Sequence, residues 1–230
     1  EDELRRDLAD IPDMRIEFLN EAGASDLSFA VLGDSDEGAL QAAERLMGAM
    51  RGLPETTSFY ERVLAEMDER MAAGVGGIKD ERYRVLWDNL PVWYRISRLS
   101  KSLAGLGVNV VASTYTYAWA ELAEMFDAAD PMGSAARTYL HPILNQSTAH
   151  KLAGMRRMID DFDLDGVILH SDRSCKPYSL GQIDERDRIV EAAGIPAMLL
   201  EADHNDARVW ADEQTAGRIE AFVEMMEATR

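Results

Sequence analysis

Residues 165–182 read DGVILHSDRSCKPYSLGQ. The run GVILH (166–170) is short, aliphatic and without alternation, the pattern of a strand covered on both faces. A polar stretch follows it and holds Cys175, the one cysteine in 230 residues. A helical pattern comes next. Three further apolar runs have the same character: YRVLWDN (83–89), VNVVAST (108–114) and PAMLLEAD (196–203).

Amphipathic segments separate these runs. WYRISRLSKSLAGLG (93–107) ends in a glycine cap, residues 133–162 form a longer segment with a break expected near Pro142, and DERDRIVEAAG (184–194) closes on Gly194. In the last segment, 212–230, Thr215, Ile219, Phe222, Val223 and Met226 share one helical face. Strand–helix alternation implies parallel strands joined by right-handed crossovers. Residues 81–230 are therefore expected to form an α/β domain, doubly wound and flavodoxin-like, with about four parallel strands in the order 2-1-3-4.

Residues 1–80 are expected to form a helical leader or linker region. DEGALQAAERLMGAM (36–50) and TTSFYERVLAEMDERMAAG (56–74) carry apolar residues at helical spacing; Phe59, Val63, Met67 and Met71 mark the second face. Residues 1–35 are less regular, and DLSFAVLG (26–33) reads as a short strand or a packed loop. GVGG (74–77) precedes a strand and lacks the Lys-Ser/Thr pair of a phosphate loop, so it reads as a cap and linker. GDSDEG (33–38) lacks the spacing of a calcium loop and reads as a capping turn.

With 24 Lys and Arg against 42 Asp and Glu, the formal net charge is −18. That balance argues against a nucleic-acid surface. No stretch offers the roughly 20 apolar residues of a membrane span, and the charged start EDELRRDLAD has no signal-peptide core. The expectation is a cytoplasmic protein with neither nucleic acid nor membrane as partner. One cysteine allows no internal disulfide.

Ligands of doubly wound sheets bind at the carboxyl ends of the strands. Here those ends are WDNLPVWY (87–94), STYTYAWAE (113–121), HSDRSCKPYS (170–179) and EADHNDARVW (201–210), rich in hydroxyls, aromatics, His and Asp. The loops at the other ends are short and plain. Arg173 and Lys176 flank the Cys175 segment and favour the thiolate, which serves as nucleophile or metal ligand. The bland alternative is a small buried filler, since free cysteine is often buried. His170, Cys175, Asp203 and His204 are a possible zinc set, without any tight ligand spacing behind them. A Cys–His nucleophilic pair and ligand-binding hydroxyls at Ser113, Thr114, Tyr115 and Tyr117 are further readings. The Met-rich faces read as core packing.

DGVILHSDRSCKPYSLGQ resembles the C-terminal signature of the 2-hydroxyacyl-CoA dehydratase / benzoyl-CoA reductase family, among its D-component-like iron–sulfur subunits. GIPAMLLEADHNDARVWADEQTAGRIEAFVEMM (194–226) is similar to that family's closing segment, and YRVLWDNLPVWY (83–94) to one of its strand-and-turn units. The resemblance implies an oxygen-sensitive [4Fe–4S] cluster, a paired homologous subunit and an ATP-hydrolysing iron–sulfur activator that delivers one low-potential electron. It implies radical dehydration of a 2-hydroxyacyl-CoA, a lyase reaction; ring reduction of an aromatic acyl-CoA and a cluster-free assembly or electron-transfer scaffold are the alternatives. Carried over by position, Cys175 is the metal ligand. His170, Ser171, Arg173, Ser174 and Lys176 are near-cluster residues, and Ser113, Tyr115, Asp203 and His204 line the same cleft. The resemblance places no general base on these positions. Family members carry further cysteines in an N-terminal domain. With one cysteine, no initiator Met and an abrupt charged start, this chain is expected to be the C-terminal part of a longer subunit, inactive alone.

Overall fold

The computed structural model describes residues 15–18, 29–32 and 53–230 apart from residue 119. The chain divides into two units, residues 1–79 and 80–230.

In the first unit, β1 (Arg15–Phe18) pairs antiparallel with β2 (Phe29–Leu32). The second of these falls in DLSFAVLG, so that stretch takes the strand option. The helix expected over 36–50 and the turn over 33–38 lie outside the described residues. Helix α1 (Pro54–Ala72) starts with Pro at its first turn, where a missing N–H costs nothing. It ends before Gly74, whose φ of +70° turns the chain out of the helix. On the face expected to be apolar, Phe59 is buried while Met71 is exposed.

The second unit holds β3 (Tyr83–Asp88), β4 (Val108–Ser113), β5 (Gly166–Asp172) and β6 (Ala197–Ala202). All the pairings are parallel, in the order β4-β3-β5-β6. Counted from the first strand of this unit, that is the order 2-1-3-4 expected from the sequence. The four apolar runs become the four strands.

Helices cover both faces. On one, Leu99 and Leu103 of α2 (Ile96–Gly105) and Ile219, Phe222, Val223 and Met226 of α8 (Asp212–Thr229) pack on Val85, Trp87, Ile168, Met198 and Leu200. On the other, Met155, Met158 and Ile159 of α5 (Thr148–Phe162) and Ile189 of α7 (Gln182–Ala193) pack on Leu86, Val167, Leu169 and Ala197. Each fully buried aliphatic side chain stabilises the fold by about 1.5–3 kcal/mol relative to exposure. The long segment 133–162 breaks as expected. A short α4 (Pro131–Thr138) and a 3-10 turn after Pro142 precede α5, which Ser147 caps by accepting from the His150 amide. Two single-turn helices complete the unit: α3 (Thr114–Tyr117) directly after β4, and α6 (Lys176–Ser179) just after Cys175.

Gly166 opens β5 where α8 comes closest. A Cβ there would lie 2.6 Å from Phe222 Cζ and 3.0 Å from Met226 Sδ. Among the described residues, no helix is long and apolar enough to cross a membrane.

Candidate functional site

The carboxyl end of the sheet is built around a buried polar network that begins where β3 ends. Asp88, the last residue of β3, has no solvent exposure. Its Oδ2 accepts from Lys151 Nζ at 3.0 Å and from Gln182 Nε2 at 2.8 Å, and its Oδ1 from the Thr114 hydroxyl at 2.8 Å. Lys151 comes from the inward face of α5 and also donates to Glu185 Oε2 at 2.8 Å and to the Tyr178 carbonyl at 3.3 Å. The Tyr178 phenol donates to Thr114 Oγ1 at 2.7 Å. Burial pushes the Glu185 carboxyl up from its ordinary range, while Lys151 works against the shift. Burial first, then the charge of Asp88, raises the Tyr178 phenol, so it stays a donor.

Asn89 follows with φ of +80°, a left-handed conformation that Asn tolerates better than most residues. Its Oδ1 accepts from the Leu90 amide at 2.7 Å. Its Nδ2 donates to the His170 carbonyl at 2.9 Å and to Ser179 Oγ at 3.1 Å. One residue thus turns the chain out of β3 and ties it to the β5 end and to α6.

The loops after β5 and β6 are joined on the opposite face. Ser174 Oγ donates to Asp203 Oδ2 at 2.5 Å, and His204 Nδ1 lies 2.8 Å from Asp172 Oδ2. The amides of Asn205 and Asp206 donate to Asp203 Oδ1, and the Ser174 amide to Asp172 Oδ1. Burial would raise the Asp203 carboxyl. The bonds from Ser174, Asn205 and Asp206, with the His204 charge, outweigh it and hold Asp203 well below the usual carboxylate range. The Trp93 amide donates to the His204 carbonyl at 3.2 Å, which ties in the loop after β3.

The residues expected at the site, Cys175 aside, occupy four settings. Ser174, Asp203 and His204 meet directly. His170 is fully buried, its Nδ1 2.6 Å from the Leu90 carbonyl oxygen, which fixes that nitrogen as the donor. Its Nε2 is buried with no hydrogen-bond partner among the described residues. Burial keeps this imidazole below its ordinary range, against the pull of Leu90 and the carboxylates of Asp172, Asp88 and Asp203. Ser171 and Ser113 are half-buried at strand ends. Tyr115 and Lys176 are exposed, Tyr115 edge-on to Trp93 with ring centroids 6.2 Å apart. Arg173 is exposed and pairs with Glu201 at 2.7 Å.

Cys175 is half-buried, outside both hydrophobic clusters, and immediately precedes α6. The Ser179 amide donates to its carbonyl at 3.2 Å, and Ser179 in turn accepts from Asn89, which ties the cysteine to the polar network at the end of β3. The suggested zinc set does not assemble among the described residues. The three metal-ligating groups that converge, with ligand atoms within 4.8 Å of one another, are Asp172, Asp203 and His204, without Cys175 or His170. Their carboxylate oxygens already accept the hydrogen bonds described above. As for iron and sulfide, a four-iron cluster is commonly held by four cysteine thiolates. Cys175, half-buried in a polar loop, fits one of those positions and is the one cysteine of the 230 residues.

A cavity of about 480 Å³ opens beside the β4 end, with Thr114, Tyr117, His141, His150, Arg157 and Met158 on its walls. Of the network residues, Asp88, Asn89, Lys151, Gln182 and Glu185 were not singled out from the sequence. Helical spacing carried a signal for some of them: Lys151 shares a face with Met155, Met158 and Ile159 of α5, and Gln182 and Glu185 share one with Ile189 of α7.

Residues 38–226 match the family model for the 2-hydroxyglutaryl-CoA dehydratase D-component. The chain is similar to the alpha subunit of (R)-2-hydroxyisocaproyl-CoA dehydratase from Clostridioides difficile, with 32% identity over 77% of this chain and 43% of the relative. It is similar to the alpha subunit of lactoyl-CoA dehydratase from Anaerotignum propionicum, with 29% identity over 80% of this chain and 43% of the relative. A benzoyl-CoA reductase subunit from Thauera aromatica is 27% identical over 79% of this chain and 44% of its own length. The chain thus spans less than half the length of these relatives.

Proposed function

The chain belongs to the 2-hydroxyglutaryl-CoA dehydratase D-component family, and from that premise we propose that its protein is an iron–sulfur lyase that removes water from a 2-hydroxyacyl-CoA thioester. The observation that carries the reading is the place of Cys175: half-buried, in a polar turn at the carboxyl end of β5. Cys175 is one ligand of a [4Fe–4S] cluster, and the remaining ligands come from outside these residues. When bound, the cluster supplies electron transfer at low potential. An electron placed on the thioester carbonyl makes C2 electron-rich, so its hydroxyl departs. Dehydration is redox-neutral overall, so the electron is recovered once C3 has lost a proton.

The residues of this chain bind and orient. His170, Ser171, Arg173, Ser174 and Lys176 surround the Cys175 turn in sequence, and Ser113, Tyr115, Asp203 and His204 line the same edge of the sheet. Glu201 neutralises Arg173, which leaves Lys176 as the neighbouring cation that offsets negative charge on cluster and substrate. The cavity beside Thr114, with Tyr117, His141, His150 and Glu124 on its walls, offers hydrogen-bonding groups to a polar part of the CoA thioester. A paired homologous subunit completes the site, and an ATP-hydrolysing iron–sulfur activator in the cytoplasm supplies the electron.

The similarity to the benzoyl-CoA reductase subunit favours a second reading, ring reduction of an aromatic acyl-CoA. Assay of the full-length protein with its partner subunit, an activator and ATP separates the two. Conversion of a 2-hydroxyacyl-CoA to the 2-enoyl-CoA supports the lyase. Turnover of an aromatic acyl-CoA alone supports the reductase and contradicts the lyase.

A further inference from the structure

We propose that Asp88 and Lys151 are positioning residues for the Cys175 turn and that they act through Tyr178; the functional weight of this rests on Cys175 as the cluster ligand. Helix α6 is four residues long, too short to hold its own shape in water. Its fixation comes from outside. Lys151 Nζ donates to the Tyr178 carbonyl and stands 4.8 Å from the centre of the Tyr178 ring. The phenol at the other end of that side chain donates to Thr114, which donates to Asp88. Ser179 adds a second anchor, accepting from Asn89 and donating to the Asp172 carbonyl at 2.9 Å. Gln182 bridges Asp88 and the His170 carbonyl. Tyr178, three residues from Cys175, is thus gripped at its backbone and at its hydroxyl.

Stability alone does not account for this arrangement. A buried ion cluster is often matched or exceeded in stability by apolar side chains of the same volume. Such side chains could fill the space under α6. They could not hold the carbonyl and the phenol of Tyr178 at fixed points, so what the charges supply is position.

The test reads Cys175 itself in the purified chain, by its rate of alkylation with iodoacetamide under native conditions. Tyr178→Phe removes the phenol anchor with the ring kept, and Lys151→Met removes the carbonyl anchor. Ile219→Ala, in the core on the opposite face of the sheet, is the control for general loosening. Each anchor variant is expected to change the alkylation rate about fivefold or more, the size of one lost buried hydrogen bond, with Ile219→Ala within about twofold of wild type on the same scale. Folded anchor variants that alkylate at the wild-type rate overturn the proposal. A control that changes as much as they do overturns it too. Should Lys151→Met fail to fold, Tyr178→Phe decides. Alkylation needs no cluster, so a cluster that survives loss of Cys175 refutes the ligand reading and leaves this result standing.

Discussion

Lys151 Nζ lies 3.0 Å from Asp88 Oδ2, with the two side chains 7% and 0% exposed. Glu185 is the third charge, 2.8 Å from the same ammonium. Removing one partner of a buried pair leaves the other charge uncompensated, which costs about 3–5 kcal/mol. Lys151→Met is therefore expected to lower unfolding free energy by about that amount, measured by urea denaturation. The triple variant Asp88→Leu, Lys151→Met, Glu185→Leu is expected to recover most of the loss. A single Lys151→Met variant as stable as wild type contradicts the pairing.

Asp203 ties the loop after β6 to Ser174, and its carboxyl is held well below the usual range. A depressed carboxylate stabilises the fold above its unfolded value of about 3.9, and that contribution is lost as pH falls through the folded value. Asp203→Asn is expected to cost about 1–3 kcal/mol at pH 6, by weakening charge-assisted hydrogen bonds. The difference from wild type should shrink as pH drops below about 4. Denaturant titrations of both proteins at several pH values check the sign. A gap that widens in acid contradicts it.

Much of the second unit was legible because its strands are buried on both faces. Such strands must be apolar throughout, so β3, β4, β5 and β6 stand out as unbroken runs. Thr215, Ile219, Phe222, Val223 and Met226 share one helical face in the sequence and are the buried residues of α8. The strand-end loops followed from the topology. The network beneath them did not, because its members are residues that usually face water. Lys151 and Glu185 are buried on account of each other and of Asp88, and they are far apart in the chain. Periodicity reports which face of a helix turns inward. It does not report that an inward lysine has two carboxylates waiting. The pairing of β1 with β2 was equally hidden, since four-residue strands carry little periodic signal.

Gly166 sits under the Phe222 ring, and an added Cβ would lie 2.6 Å from its Cζ. The contact lies in the packed core, so the ring and α8 must shift together. Gly166→Ala is expected to lower stability by about 1–3 kcal/mol through overpacking, seen as a reduced melting temperature. Adding Phe222→Leu should restore part of it by opening space at the same point. A Gly166→Ala variant that melts with wild type contradicts the close packing of α8 on β5.

The proposed function requires the Cys175 sulfur to hold an iron–sulfur cluster at the carboxyl edge of the sheet. Its most direct test is anaerobic reconstitution of the full-length protein and its partner subunit with iron and sulfide, in parallel with Cys175→Ala, followed by visible absorption and iron content. A broad thiolate-to-iron charge-transfer band is expected in the wild type and is lost, with its iron, in Cys175→Ala. An unchanged band and iron content in the variant would contradict it.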